Sequence, residues 1–224
     1  MLCGEGPHDV GRIEQWSIKK QTQVVEEGWL QPLLKKYAYD EGIEFEIVPR
    51  ARLVKLPGPQ KAPLPSGHGA KAFIAKFRAK SSNCDAVVFM LDGDTSADAD
   101  WKGKLAEVQS GFDLVTGDTI SIACVPKSTS ESWLLSDEQA WNAVSGQNVD
   151  LPEKPEELWG LPNDAESSHP KSAFVKTCEK AGLTNSTETR RALMEAASVE
   201  TLRQKCPLSF QAFDLAAGAL SSNS

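Results

Sequence analysis

The chain lacks several features that would classify it quickly. No apolar run approaches the ~20 residues needed to cross a bilayer, and its start shows neither the basic nor the apolar region of a secretion signal. No GxxxxGK[ST] loop occurs, which argues against a P-loop nucleotide site. The Gly4-Glu5-Gly6 turn is no dinucleotide fingerprint either, because Asp9 stands where the third glycine belongs. Cysteine is sparse: Cys3, Cys84, Cys124, Cys178 and Cys206 are odd in number and form no CxxC pair. Neither a disulfide framework nor a zinc site is indicated, so a reducing, cytoplasmic setting and no membrane partner are expected. No internal repeat or coiled-coil heptad is present.

What remains is an ordinary globular composition with an uneven charge. Hydrophobic residues make up 40% of the 224 and charged residues 25%, which favours a folded protein over a disordered one. The net charge of −7 argues against a polyanionic partner until its distribution is considered. Eight basic residues and no acid lie between Arg50 and Lys80 (Arg50, Arg52, Lys55, Lys61, Lys71, Lys76, Arg78, Lys80), leaving −15 on the rest. That segment reads either as a phosphate-tracking surface or as a solvated loop and helix face.

Alternating strand and helix patterns predict an α/β fold with a mainly parallel sheet covered by helices. Leu2-Cys3-Gly4 is a strand stub. Pro7 opens a helical pattern extending towards Tyr39, with Gly28 as a possible break and Pro32 as a restart. Ile43–Val48 reads as the second strand. The span 56–69 has four prolines and three glycines and reads as a loop. The helix after it carries Ala70, Phe73, Ile74 and Phe77 on its buried stripe, with Lys71, Lys76, Arg78 and Lys80 facing solvent. Asp85–Leu91 is apolar on both faces past its first residue, as a central strand should be. Trp101–Val115 predicts a helix, Thr119–Val125 a further strand, and Trp133 to Trp141 one amphipathic helix. Residues 145–170 read as a loop insertion before helices at 173–181, 188–197 and 208–217. The domain expectation is an α/β core over 1–145 and a helical extension over 146–224 packed on it. The tryptophans fall mostly at helical positions and are expected to pack rather than stack on bases.

The chemistry gathers in acids at strand ends. Asp92 and Asp94 follow the apolar run Ala86–Leu91. Two residues apart on an extended chain, they would point to one side and repel each other unless a cation intervenes. Hard oxygen ligands of this kind suit Mg²⁺ or Mn²⁺. Glu5, between two glycines after the first strand, is exposed by a tight turn. Asp9 suits either that site or a helix start. Glu131 follows Ser128-Thr129-Ser130 at the end of the next strand and reads equally as a ligand or as the acidic first turn of a capped helix. His68, between two glycines, is a candidate substrate contact, whereas His8 reads as a turn residue and His169 carries no signal. Asp98 and Asp100 read as solvated.

Glu-Gly-x-x-Asp after an N-terminal strand, followed by a strand ending in Asp-x-Asp, resembles the Toprim domain of primases, topoisomerases and nucleases. The fuller order is similar to Toprim nucleases of the overcoming-lysogenization-defect class and their small single-domain relatives. Gly67-His68-Gly69-Ala70-Lys71, Glu131–Leu135 and Cys206–Phe210 add to the likeness. The resemblance implies a divalent-metal-dependent nuclease acting on DNA or RNA. It places Glu5, Asp9, Asp92, Asp94 and Glu131 around Mg²⁺ or Mn²⁺, and makes Lys171 a downstream catalytic lysine, with a solvent-facing helix start as the other reading. Arg50, Arg52, Lys55, Lys61, His68 and Lys71 would then guide the nucleic acid. It also implies a defence or toxin role with an ATPase partner, and a homodimer is compatible with it. Only Met1, Leu2 and Cys3 precede Glu5 as apolar residues, fewer than the family's first strand usually has.

Two competitors stand beside it. Val87 to Thr95 resembles the nucleophile motif of haloacid-dehalogenase-like phosphatases, with Asp92 attacking and Asp94 as acid/base, although the motif sits late and no paired aspartates follow downstream. A non-catalytic Toprim-like partner subunit is the other.

Overall fold

In the computed structural model, which describes residues 1–4, 6–15, 22–38, 43–53, 67–162, 164 and 166–222, four short strands make one wholly parallel sheet. In chain order the elements begin with β1 (Leu2–Gly4), α1 (Pro7–Val10), β2 (Arg12–Gln15), β3 (Thr22–Glu26), α2 (Leu30–Lys35) and β4 (Ile47–Pro49). There follow α3 (Gly67–Ser81), β5 (Ala86–Met90), α4 (Asp98–Asp113), β6 (Ile120–Cys124), α5 (Glu131–Leu134) and α6 (Glu138–Ser145). The chain closes with α7 (Pro170–Lys180), α8 (Thr187–Ala196), α9 (Val199–Lys205) and α10 (Ser209–Ala217). The parallel sheet runs β4-β1-β5-β6, and β2-β3 form a separate antiparallel pair.

Strand order explains where a site can form. Among the four parallel strands the sequence order is second, first, third, fourth. The direction of winding therefore reverses between β1 and β5, and open α/β sheets present a crevice at that point beyond their carboxyl ends. Both central strands are short. β1 still holds the middle of the sheet, pairing Leu2 with Ile47 on one side and Val88 on the other, and the Met1 amine donates to the Ala86 carbonyl at 2.7 Å.

Alternation along β5 divides the core into two layers. Val87, Phe89 and Leu91 face α3 and α4 together with Cys3, Val48, Ala123 and Val125. Val88 and Met90 face the other way with Leu2, Ile47, Ile122 and Cys124, against α2, α5 and the helices of the C-terminal third. Residues beyond 145 thus supply much of one face of the sheet, together with α2, α5 and α6. Trp133 sits in that layer against Trp29, Phe210 and Phe213 at centroid distances of 5.9, 5.1 and 5.4 Å. Trp29, Trp133 and Trp141 are fully buried and Trp101 nearly so, as packing residues should be, whereas Trp159 is exposed; Trp16 lies outside the described residues. All five cysteines are free.

Several elements depart from the sequence reading. The long helix after Pro7 is one turn, then a β-hairpin, then α2. Gly11 has φ +87°, a backbone that ends a helix, and a Cβ on Gly28 would lie 2.3 Å from the Asp9 carbonyl oxygen, so the hairpin closes directly against α1. The predicted helix from Trp133 to Trp141 is two helices, because the Asp137 carboxylate caps α6 through the Gln139 and Ala140 amides. Strand β4 is shorter than expected, and α9, capped by Ser198, was not anticipated. In α3 the buried stripe is Ala72, Ile74, Ala75, Lys76 and Ala79, while Phe77 is exposed. The face is small because α3 and α4 approach backbone to backbone: a Cβ on Gly111 would meet the Gly69 carbonyl oxygen at 2.1 Å. Lys76 therefore does not face solvent as its charge suggested.

Candidate functional site

Each parallel strand ends at the same edge of the sheet, and each delivers chemistry there. β5 runs into Leu91-Asp92-Gly93-Asp94, and this segment stays laced to the chain leaving β6. The Leu91 amide donates to the Cys124 carbonyl at 3.0 Å, Gly93 to Pro126 at 2.8 Å and Asp94 to Ser128 at 2.8 Å. Glycine is required between the two aspartates, since a Cβ there would lie 2.2 Å from the Lys127 carbonyl oxygen. Asp94 adopts φ +44°, a left-handed backbone that aspartate tolerates better than most residues. That twist breaks the alternation expected of an extended Asp-x-Asp. The Asp92 side chain is only 14% exposed, while Asp94 is exposed to solvent, so the two do not share one face.

Ser130 joins two carboxylates, Asp9 of α1 and Asp92 just past β5. Its amide donates to Asp92 Oδ1 at 2.9 Å, and its hydroxyl donates to Asp9 Oδ1 at 3.2 Å. The same Asp9 oxygen accepts from Trp29 Nε1 at 2.8 Å. Asp9 is therefore a partly buried acceptor for Trp29 and Ser130 rather than a cap of α1, whose cap is Gly6 with no side-chain bond. Nor does Ser130 cap α5 with its side chain. Glu131, in the first turn of α5, reaches the same cluster and is 4% exposed. Burial pushes the Asp92 carboxyl up to about 7, and the neighbouring charges of Glu131 and Asp9 add to the rise. Asp9 is raised too, by burial first and by Glu131 next among the raising influences.

Cations compensate part of this charge. Lys171 Nζ stands 3.5 Å from Asp92 Oδ2, so the lysine named from sequence does reach the aspartate. Burial works against its positive charge, yet Asp92, Glu131 and Asp94 outweigh it and raise its pKa. His169 places this lysine: it precedes Pro170 at the start of α7, and its Nδ1 accepts from the Lys171 amide at 3.2 Å. Arg190 of α8 pairs with Glu131 Oε1 at 2.9 Å, with both side chains 6% exposed. Arg190 also stacks over Phe174 at 4.5 Å and bonds to Asn185. Burial opposes the Glu131 charge, but Arg190 and the nearby Thr129 hydroxyl more than offset it, leaving its pKa lowered. His8, beside the first motif, shares a 2.7 Å hydrogen bond with Thr187, which anchors the start of α8.

The site also holds polar atoms without a hydrogen-bond partner. Ser128 Oγ, Thr129 Oγ1 and Glu131 Oε2 are buried and none has a partner at bonding geometry, although Thr129 is close enough to Glu131 to favour its charge. Buried oxygens of this kind call for water or a cation. Among the described residues no group of three or more His, Cys, Asp or Glu stands at metal-holding distances. Glu5 lies outside the described residues, as do Lys55 and Lys61.

The basic candidates divide. Arg50 follows β4 directly at the same edge, and its Nη2 donates to His68 Nδ1 at 3.1 Å. Burial lowers the Arg50 pKa, while Asp94 and Asp92 act to raise it. Lys71 lies one turn along α3 and is influenced by Arg50. Arg52 is exposed and joins none of these contacts. Lys104, which was not a candidate, donates to the Gly93 carbonyl between the two aspartates.

Ser130 reads as a helix cap in sequence, and Arg190, His169 and Lys104 carry no signal, because a charged residue on an amphipathic helix or a histidine before a proline is ordinarily solvated. No family model matches the chain, and no curated protein or solved structure matches it significantly.

Proposed function

We propose that the chain is a divalent-metal-dependent phosphodiesterase, a nuclease of the Toprim kind, working at the carboxyl edge of the sheet between β1 and β5. The observation that carries the reading is the meeting of Asp9 and Asp92 on Ser130, two part-buried carboxylates from α1 and the end of β5 whose pKa values are raised by burial first and then by carboxylate repulsion, in both cases chiefly from Glu131. A cation would relieve that repulsion. Asp92 and Asp9 are the residues to hold Mg²⁺ or Mn²⁺, with Asp94 and Glu5 as further ligands and Glu131 kept ionised by Arg190 as support. The ion would supply a Lewis acid and a bound water of lowered pKa.

The remaining groups have distinct tasks. Lys171, beside Asp92, neutralises charge on a phosphate brought to the site, and Arg50 does so from its place just after β4. The test is a cleavage panel of single- and double-stranded DNA and RNA with Mn²⁺ or Mg²⁺. The expected outcome is metal-dependent cutting that Asp92→Asn abolishes. An inert wild type, or an unaffected variant, would sink the proposal.

The contact of Lys171 with Asp92 also favours a second reading, in which Asp92 is the nucleophile of a phosphatase and the ammonium steadies the phosphoryl group. Hydrolysis of small phosphomonoesters with trapping of an aspartyl-phosphate separates it from the first. A defence or toxin role with an ATPase partner rests on the resemblance alone, as does a non-catalytic subunit, which activity of the isolated chain would exclude. Among the described residues no helix is long and apolar enough to cross a membrane.

A further inference from the structure

Trp29, Trp101, Trp133 and Trp141 are buried, whereas Trp159 leaves 42% of its surface open to solvent. A single exposed apolar side chain is ordinary on a protein surface, and what singles out Trp159 is where it is held. Glu156, three positions earlier, is buried and accepts the Leu208 and Ser209 amides, which fixes the turn Pro155–Glu157 against the start of α10. On the other side, a Cβ on Gly160 would lie 2.1 Å from Ser167 Oγ, so the chain beside the indole closes on the residues that lead into α7. Ser167 Oγ accepts the His169 amide at 3.1 Å, and Ser172 donates to the Pro162 carbonyl at 3.4 Å. The indole is thus displayed from anchored backbone.

Its ring neighbour leads into the acidic edge. The Trp159 ring centroid is 5.9 Å from that of His169, with 52° between the planes, a tilted contact in which the imidazole does not lie flat on the indole. His169 is buried, and its Nδ1 accepts the Lys171 amide, while Lys171 Nζ stands 3.5 Å from Asp92 Oδ2. Burial, then the Lys171 charge, lower the His169 pKa, and Glu131 and Asp94 act to raise it, so the ring lies within the field of the carboxylates. The acids around the indole are engaged elsewhere: Glu157 pairs with Lys154 at 3.2 Å, Glu166 pairs with Lys176 at 3.7 Å, and Asp164 accepts the Glu166 amide. An open aromatic face beside the ammonium that meets a phosphate suits a nucleotide, because every base has a π-face to stack on it. Duplexes hide those faces, whereas single strands offer them.

We propose that Trp159 is a stacking platform for a base of a single-stranded nucleic acid, seating the nucleotide whose phosphate meets Lys171 and Asp92. The inference deepens the phosphodiesterase reading and rests on it for the place of the phosphate; stacking itself needs no metal.

The test is fluorescence-anisotropy titration of the full chain, in EDTA so that nothing is cut, with a labelled single-stranded oligonucleotide and an abasic strand of the same length and charge. The wild type is expected to prefer the base-bearing strand by roughly tenfold or more, the scale of one aromatic stack. Trp159→Ala should remove that preference and leave abasic binding within about twofold, which also shows that the variant is folded. Trp159→Phe should keep most of the preference, but lose the quenching of tryptophan emission that the wild type shows on binding. Equal binding of the two strands by the wild type, equal weakening of both by Trp159→Ala, or no binding of either strand overturns the platform. Base-dependent binding in a chain that cuts no nucleic acid upholds the platform and counts against the nuclease reading alone. Cutting without base preference counts against the platform alone.

Discussion

Replacing Asp92 by asparagine is expected to make the metal-free protein more stable, and increasingly so as pH rises from about 4 to about 7. The carboxyl has its ordinary value of 3.8 when unfolded and about 7 in the folded chain. Below 3.8 it is protonated in both states and imposes no cost. Between the two values the folded state holds a proton that the unfolded state has released, so stability falls with each step in pH; above about 7 the full cost of an ionised, crowded carboxylate is present. At about 1.4 kcal/mol per pH unit that cost approaches roughly 4 kcal/mol. Asparagine keeps an oxygen for the Ser130 amide but gives up the Lys171 pair, so a net gain of roughly 1–3 kcal/mol is expected at pH 8, and little or none at pH 4. At about 2–4 °C per kcal/mol for a chain of this size, the difference is readable by thermal or urea unfolding of both proteins in EDTA at several pH values. Subtracting the two curves removes every titration they share. A variant that is destabilised equally at pH 5 and pH 8, or a gap that narrows as pH rises, would refute the reasoning.

Other substitutions probe the supports of the site. Arg190→Met should cost about 3–5 kcal/mol in urea unfolding because it strands a buried Glu131 charge, and Arg190→Met/Glu131→Leu should recover much of that; no recovery would mean the pair is not coupled. Glu156 accepts the Leu208 and Ser209 amides at 2.9 and 2.6 Å and so ties the 146–169 segment to the start of α10. Glu156→Ala is expected to lower stability by about 1–3 kcal/mol, with faster proteolysis of that segment as the check. Asp94→Gly should relieve the left-handed backbone and add up to about 1 kcal/mol while lowering metal-dependent activity. A loss of stability there would show that the Asp94 side chain has a structural role.

Sequence reasoning reached the sheet more securely than its surroundings. β5 is apolar on both faces and stops at Asp92, so strand and acid were legible together. The pairing of β2 and β3 was not, since Arg, Glu and Gln among their apolar residues also satisfy a helical pattern, and the close backbone contact of Gly28 with Asp9 is not visible in the sequence. Helix α3 misled for a related reason: its aromatics looked like the buried stripe, but close approach at Gly69 and Gly111 demands glycine at the crossing and favours small residues such as Ala72, Ala75 and Ala79 along that face. The resemblance implied that Asp9 and Asp92 share a site, whereas the residues alone left Asp9 equally as a helix start. The agent of their meeting, Ser130, was not legible, because the Ser/Thr run also looks like a helix cap. Arg190 lies 59 positions after Glu131, and only the packing of α8 brings the two together. The Arg50–His68 contact likewise spans a stretch of proline-rich chain that no periodicity could bridge.

Mn²⁺ binding followed by electron paramagnetic resonance, on the wild type and on Asp9→Asn and Asp92→Asn, tests the central claim most directly. If Asp9 and Asp92 form one cation site, the wild type sequesters Mn²⁺ and each single substitution abolishes or sharply weakens that binding while the fold remains intact. Undiminished Mn²⁺ binding in both variants, or none in the wild type, would contradict it.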